Sequence, residues 1–249
     1  MNLKNYIVCA RLLMAASSVI GQDATSTAAP TAPKKTIWES SAAVGLTLTK
    51  GNSDTLMVNG NIQSSRKWDK NEISLGADGT YGENSGVKNS DSIHAFGQYN
   101  RLFTDRVFGY LRVDDLHDGI ADIDYRFTVG PGAGYYFIKN ADTSLRGEVG
   151  PGWVYEKQGG KNDSYITLRI AERFDHKLND RVKLWQSLEF LPQVDDWNNF
   201  IINGEIGLEV ALSKTFSQRT FLQDTYDNVP APGRKENDLK LVAAIAYKF

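Results

Sequence analysis

From residue 38 onward, acids and bases recur at even spacing, and that spacing decides what chemistry they could do. Arg112 and Asp114, Arg146 and Glu148, Arg169 and Arg173, Lys183 and Glu189, and Glu205 and Glu209 stand two, four or six residues apart, while Asp78, Arg126 and Lys240 share the parity of their own stretches. In extended chain, residues two apart point to the same side, so each stretch presents its charges on one wall. The two signs nearly cancel along it. Carboxylates and guanidiniums held away from bulk water must be paired, so the pattern supports ion pairing and the passage or exclusion of charged solutes.

Catalysis needs more than charge. A lipid-ester hydrolase requires a Ser, a His and an orienting polar group within mutual reach, and the three histidines are His94, His117 and His176. His94 and Ser92 share the charged parity, and His176 stands beside a short turn. His117, in the run Asp114-Asp115-Leu116-His117-Asp118, could hold a divalent cation, although such acidic runs are ordinarily solvated. Glu205 and Glu209 could form a glycosidase pair, and Trp197, beside Asp195, Asp196, Asn198 and Asn199, could stack on a sugar. Pairing with neighbouring bases and a polar loop are the plainer readings. GPGAG (130–134) lacks the Lys-Ser/Thr of a phosphate loop and leads into a strand. No catalytic residue, metal ligand or cofactor is assigned. The expected protein is not an enzyme, with an outer-membrane hydrolase or lipid-modifying enzyme as the alternative.

The elements that must position these residues are strands. Leu56, Val58, Gly60 and Ile62 alternate with Asn59, Asn61, Gln63 and Ser65, and Ile202, Ile206, Leu208 and Val210 alternate with Asn203, Glu205 and Glu209. Such alternation is the mark of a strand with one apolar and one polar side. Twelve segments read this way: 38–50, 55–67, 72–82, 92–102, 107–117, 124–138, 144–156, 164–176, 181–192, 199–213, 217–227 and 238–249. Their lengths suit tilted membrane strands. Connections at Trp68–Asn71, Phe103–Arg106, Lys139–Thr143, Lys177–Asp180 and Lys214–Phe216 are short. Those at Gly82–Asp91, Asp118–Ile123, Lys157–Asp163, Gln193–Asn198 and Asn228–Asn237 are mostly longer and more polar, and only Gly51–Asp54 breaks the rhythm. That rhythm is the one of a bacterial outer-membrane barrel. The expected fold is therefore all-β, a transmembrane antiparallel up-and-down β-barrel of about 12 strands occupying residues 37–249, with the charged wall facing its lumen. Trp38, Trp68, Tyr135, Phe137, Tyr247 and Phe249 fall near the short-turn ends, where an interfacial aromatic girdle belongs.

Composition fits this fold without announcing it. The chain has 249 residues, 41% hydrophobic and 23% charged, with 22 Gly, 7 Pro and 1 Cys, and a mean hydropathy of −0.39. These values disfavour a disordered chain or a disulfide scaffold, and no later run is apolar enough for a membrane helix. Residues 1–21, with Lys4 and Arg11 before an apolar stretch, read as a signal peptide, and residues 22–36 as a flexible periplasmic leader. The lone Cys9 falls in the signal. Its removal takes Lys4 and Arg11 from the 28 bases and leaves the 30 acids, a net charge of −4 that gives no reason to expect nucleic-acid binding.

Two local patterns stand out. Gly130, Gly132 and Gly134 would lie across a hairpin from Gly152, Gly150 and Glu148, leaving a lumen patch of nearly bare backbone. Long side chains from the opposite wall would cover it, or it would help the sheet bend. At the C-terminus, Leu241, Ala243, Ile245, Tyr247 and Phe249 share one face, and Ile245, Tyr247 and Phe249 resemble the signal that barrel-assembly machinery reads. The stretches WESSAAVGLTLTKGNSDT (38–55), DIDYRFTVGPGAGYYFI (122–138), LRGEVGPGWVYE (145–156) and YDNVPAPGRKENDLKLVAAIAYKF (226–249) resemble a family of salt-induced outer-membrane proteins of Gram-negative bacteria, a domain of unknown function. The resemblance implies an outer-membrane barrel responding to salt or alkaline conditions, and implies no reaction. The expected partners are outer-membrane lipid and the assembly machinery. Function is expected to be that of a narrow pore for ions or small solutes, or of a structural envelope protein.

Overall fold

The computed structural model describes residues 38–49 and 55–249. The expected signal peptide, leader and first turn lie outside the described residues. Twelve strands follow one another: β1 (Glu39–Thr49), β2 (Thr55–Trp68), β3 (Asn71–Asn84), β4 (Val87–Leu102), β5 (Val107–Asp118), β6 (Ile123–Lys139), β7 (Thr143–Gln158), β8 (Lys161–Lys177), β9 (Val182–Pro192), β10 (Phe200–Ala211), β11 (Phe216–Asp227) and β12 (Asn237–Lys248). Each pairs antiparallel with its sequence neighbours, and β1 meets β12 through Ser41↔Lys248 to Val44↔Ile245, so the sheet closes as a barrel. Closure leaves no edge strand, which is how a sheet satisfies its backbone in hydrocarbon. Among the described residues no helix is long and apolar enough to cross a membrane.

Period-two patterning sorts the side chains as a membrane barrel requires. Val44, Leu46, Ile62, Leu75, Ile93, Leu111, Val149, Ile166, Leu208, Leu241 and Ile245 point outward and are exposed, while Ala43, Ala244 and Ala246 point inward and are buried. Aromatics ring both ends of the outer face. At the short-turn end Tyr135 packs edge-on against Phe137, and Tyr247 contacts both Phe216 and Phe249. At the other end Tyr155 lies between Tyr125 and Trp153, and Phe200 between Phe190 and Tyr226. From the sequence an aromatic girdle is expected only at the short-turn ends; the members of this second one lie within the segments read as strands, toward their opposite ends.

Two of those loops are absent. Residues 82–91 and 157–163 are almost wholly strand, closed by tight turns at Ser85-Gly86 and Gly159-Gly160. All four turn residues have positive φ, at 52°, 78°, 57° and 74°. That is the primed hairpin turn whose twist matches the flanking strands. The polarity of these segments marks strands that project beyond the apolar belt, not loops. The longer connections at this end are 119–122, 193–199 and 228–236.

The β6–β7 ladder is interrupted where glycine and proline coincide. Pairing runs to Val129↔Trp153 and resumes at Ala133↔Val149, so in that register Pro131 faces Pro151. Neither proline has an N–H to give, so the ladder loses bonds there.

Candidate functional site: the barrel interior

The interior divides into two unlike halves. On the β3–β8 side, glycine positions set the packing. A Cβ on Gly132 or Gly134 would overlap the rings of Tyr110 and Phe108, which reach over from β5 and lie on the bare backbone of β6. Gly130 and Gly150 are pinned differently: a Cβ on either would overlap the carbonyl oxygen of Pro151 or Pro131 across the strand pair, and one on Gly152 would come 2.7 Å from Thr167 Oγ1. The expectation that the opposite wall covers this patch is thus corrected, because an adjacent strand does so. Phe108 contacts Tyr136 with ring centroids 5.2 Å apart, and both are almost completely buried.

Charges close around these rings. Glu148 accepts from Gln98 Nε2 at 3.0 Å and pairs with Arg146 at 3.1 Å and Arg169 at 2.8 Å. Arg169 continues to Glu189 at 2.5 Å, which also accepts from Asn203 at 3.1 Å. Tyr136 donates to Glu72 at 2.6 Å. Nearer the long-loop end, Arg126 pairs with Glu156 and reaches Asp227 of β11 at 3.0 Å, and Tyr165 donates to Glu156 at 3.1 Å. Contact between β6 and β11, which are not neighbours in the sheet, can only be made across the lumen. Lys240 of β12 likewise reaches Ser92 at 3.3 Å and Asp118 at 4.0 Å.

On the β8–β12 side, facing β2 and β3, the interior is open. A cavity of 140 Å³ is lined by Asn59, Asn61, Gln63, Asp78, Thr80, Arg173, Lys183, Trp185, Glu205, Glu209, Arg219, Phe221 and Gln223. The most buried charges lie in the closed half, with Glu148 at 4%, Glu156 at 6% and Arg126 at 9% exposed, and the most exposed in the open half, with Asp78 at 43%, Arg173 at 37% and Lys183 at 46%, although Arg219 and Glu209 of the open half are only 11% and 13% exposed. Arg173 and Lys183 share Asp175 at 2.9 and 3.0 Å, and Glu209 takes Arg219 at 2.8 Å as well as Lys248. His94 joins the halves, with its two ring nitrogens 3.1 Å from Asp78 and 3.4 Å from Asp114, which Arg112 grips with two hydrogen bonds. Each charged residue singled out by spacing therefore lies on the inner wall. Glu72, Gln98, Glu156, Asp175, Trp185, Arg219 and Asp227 belong there too; parity within their strands would have added them.

The remaining candidates do not converge. His117 Nδ1 is 2.9 Å from the Asp124 carbonyl oxygen, and His176 Nδ1 is 2.9 Å from Thr143 Oγ1 while its ring stacks on Phe174. Among the described residues no Ser hydroxyl is hydrogen-bonded to a His, and no group of three or more His, Cys, Asp or Glu is arranged to hold a metal. Ile245, Tyr247 and Phe249 face outward and are exposed.

Residues 42–249 match the family described as protein of unknown function, DUF481. The chain belongs to the DUF481 family. No curated protein matches it in sequence. In shape, this DUF481 barrel is similar to the NanC porin (TM-score 0.48, 7% identity, 84% of this chain and 96% of that one), the KdgM porin (0.47, 8%, 86% and 99%) and the translocator domain of the autotransporter NalP from Neisseria meningitidis (0.45, 12%, 85% and 87%).

Proposed function

We propose that this DUF481 protein is a non-enzymatic barrel of the Gram-negative outer membrane whose lumen forms a narrow pore for ions or small polar solutes. The observation that carries the reading is the asymmetry of the interior, with one half closed by buried rings and ion pairs and the other holding a cavity lined by amides and partly exposed charges. A barrel of this size stands between those filled by side chains and those with wide aqueous channels. The outward apolar belt between two aromatic girdles supports membrane insertion, and export would use the N-terminal signal. The assembly machinery would read Ile245, Tyr247 and Phe249. The salt link enters through the same lumen: exposed ion pairs weaken as ionic strength rises, so the open half is the part a change of salt would loosen.

Recording the purified protein in planar bilayers across salt concentrations tests the pore. Small, resolvable steps well below those of a general porin are expected. Porin-sized steps, or none at any salt, would overturn the reading.

A further inference from the structure

We propose that the open half of the lumen holds a binding station for small ammonium ions, built from Glu205, Trp185 and Phe221. The inference deepens the pore reading and rests on it for the ligand's route of entry.

Register assembles the station. Glu205 of β10 pairs with Ser187 of β9 and Gln223 of β11, and two residues along each strand Gly207 lies between Trp185 and Phe221. A Cβ on Gly207 would overlap the Trp185 ring and come 2.6 Å from Phe221 Cβ, so only glycine lets the two rings meet over β10. Their centroids are 6.2 Å apart and the planes are inclined by 48°. Trp185 donates its Nε1–H to Glu205 Oε1 at 2.6 Å, fixing the carboxylate beside the rings.

Charge accounting gives the ligand class. Of the acids lining the cavity, Asp78 faces His94, and Glu209 is matched by Arg219 and Lys248. Among the described residues Glu205 has a single partner, the neutral indole N–H. A half-buried carboxylate with no cation favours a positive guest. The half-buried Phe221 ring beside it, backed by the buried Trp185, favours a weakly hydrated one, because the negative face of a π system attracts alkylammonium ions. The cavity of 140 Å³ holds on the order of ten waters, room for a ligand of a few heavy atoms.

Two sources share that chemistry. A monocation would use Glu205 and the rings alone. A zwitterion would also place its carboxylate toward Arg173, which pairs with Ser187 on the side away from Glu205 and which, with Lys183, has only Asp175 between the two bases.

The test is calorimetric titration of the refolded full barrel in detergent micelles with tetramethylammonium and with glycine betaine, against sodium chloride as reference. Saturable binding of one or both is expected, weakened about tenfold or more by Glu205→Gln, which removes the charge-assisted contact, and by a smaller factor in Phe221→Leu. Tighter binding of the zwitterion, lost in Lys183→Met, would support the station and assign the zwitterionic class; binding of tetramethylammonium alone would support it and assign the monocation. Heat-modifiable migration in gels establishes that each variant is folded. Should Glu205→Gln not fold, Phe221→Leu carries the test. Absence of saturable binding to the wild type, or binding unchanged in the folded variants, overturns the proposal. Bilayer recordings made in parallel separate the two claims: conduction without binding sinks the station alone, and binding without conduction sinks the pore alone.

Discussion

The β3–β8 wall and the β8–β12 wall are built from the same residue types in the same period-two pattern, yet one is sealed and the other open. The difference lies in what fills the space between charges. On the sealed side, glycines of β6 leave room for Phe108 and Tyr110, and beside the rings Glu148 is buried between Arg169, which lies over Tyr110, and the less buried Arg146. On the open side the corresponding space is lined by Asn59, Asn61 and Gln63, short amides that leave Asp78 and Lys183 in contact with water. Breaking an ion pair is thus costly where the pair is buried and cheap where it is wet.

The contrast can be broken most directly at Glu148. Glu148→Ala leaves Arg146 without its acid and Arg169 with Glu189 alone, a loss of about 3 kcal/mol, the low end for breaking a buried pair, and a matching fall in the urea midpoint for unfolding is expected. Next in size, Gly134→Ala drives a Cβ into the Phe108 ring and should cost roughly 1–3 kcal/mol, read in the same titration. On the open side, Lys183→Met removes a half-exposed charge and should change stability by less than about 1 kcal/mol. Its effect belongs in ion selectivity, measured as a shift of reversal potential toward cations. An equal loss of stability from Glu148→Ala and Lys183→Met would erase the distinction between the walls.

Much of this molecule is legible in its sequence, for a physical reason. Alternation with period two is local, so the segment around Ile206 and Leu208 reveals its outward face, and Glu205 and Glu209 their inward one, without any knowledge of the neighbours. Contacts that depend on curvature are not local. Arg126 meets Asp227 over a separation of 101 residues only because the barrel closes, and Phe108 lies on Gly134 only because the β5–β6 register places Phe108↔Gly134 side by side. Polar hairpin tips such as 82–91 were misread because polarity marks exposure to water, whether the backbone is strand or loop. Trp185 carried no signal of its own. Its place beside Glu205, 20 residues away in the sequence, follows from Gly207, which leaves room for the indole over β10.

The central claim, that solutes pass along the open half only, is tested most directly by single-channel conductance of two variants set against the wild type. Gln63→Trp fills the cavity from the inward side of β2, and Tyr136→Phe removes a hydroxyl from the sealed wall. The account predicts that Gln63→Trp abolishes or sharply reduces the conductance while Tyr136→Phe leaves it within the scatter of the wild type. A conductance untouched by Gln63→Trp would contradict it.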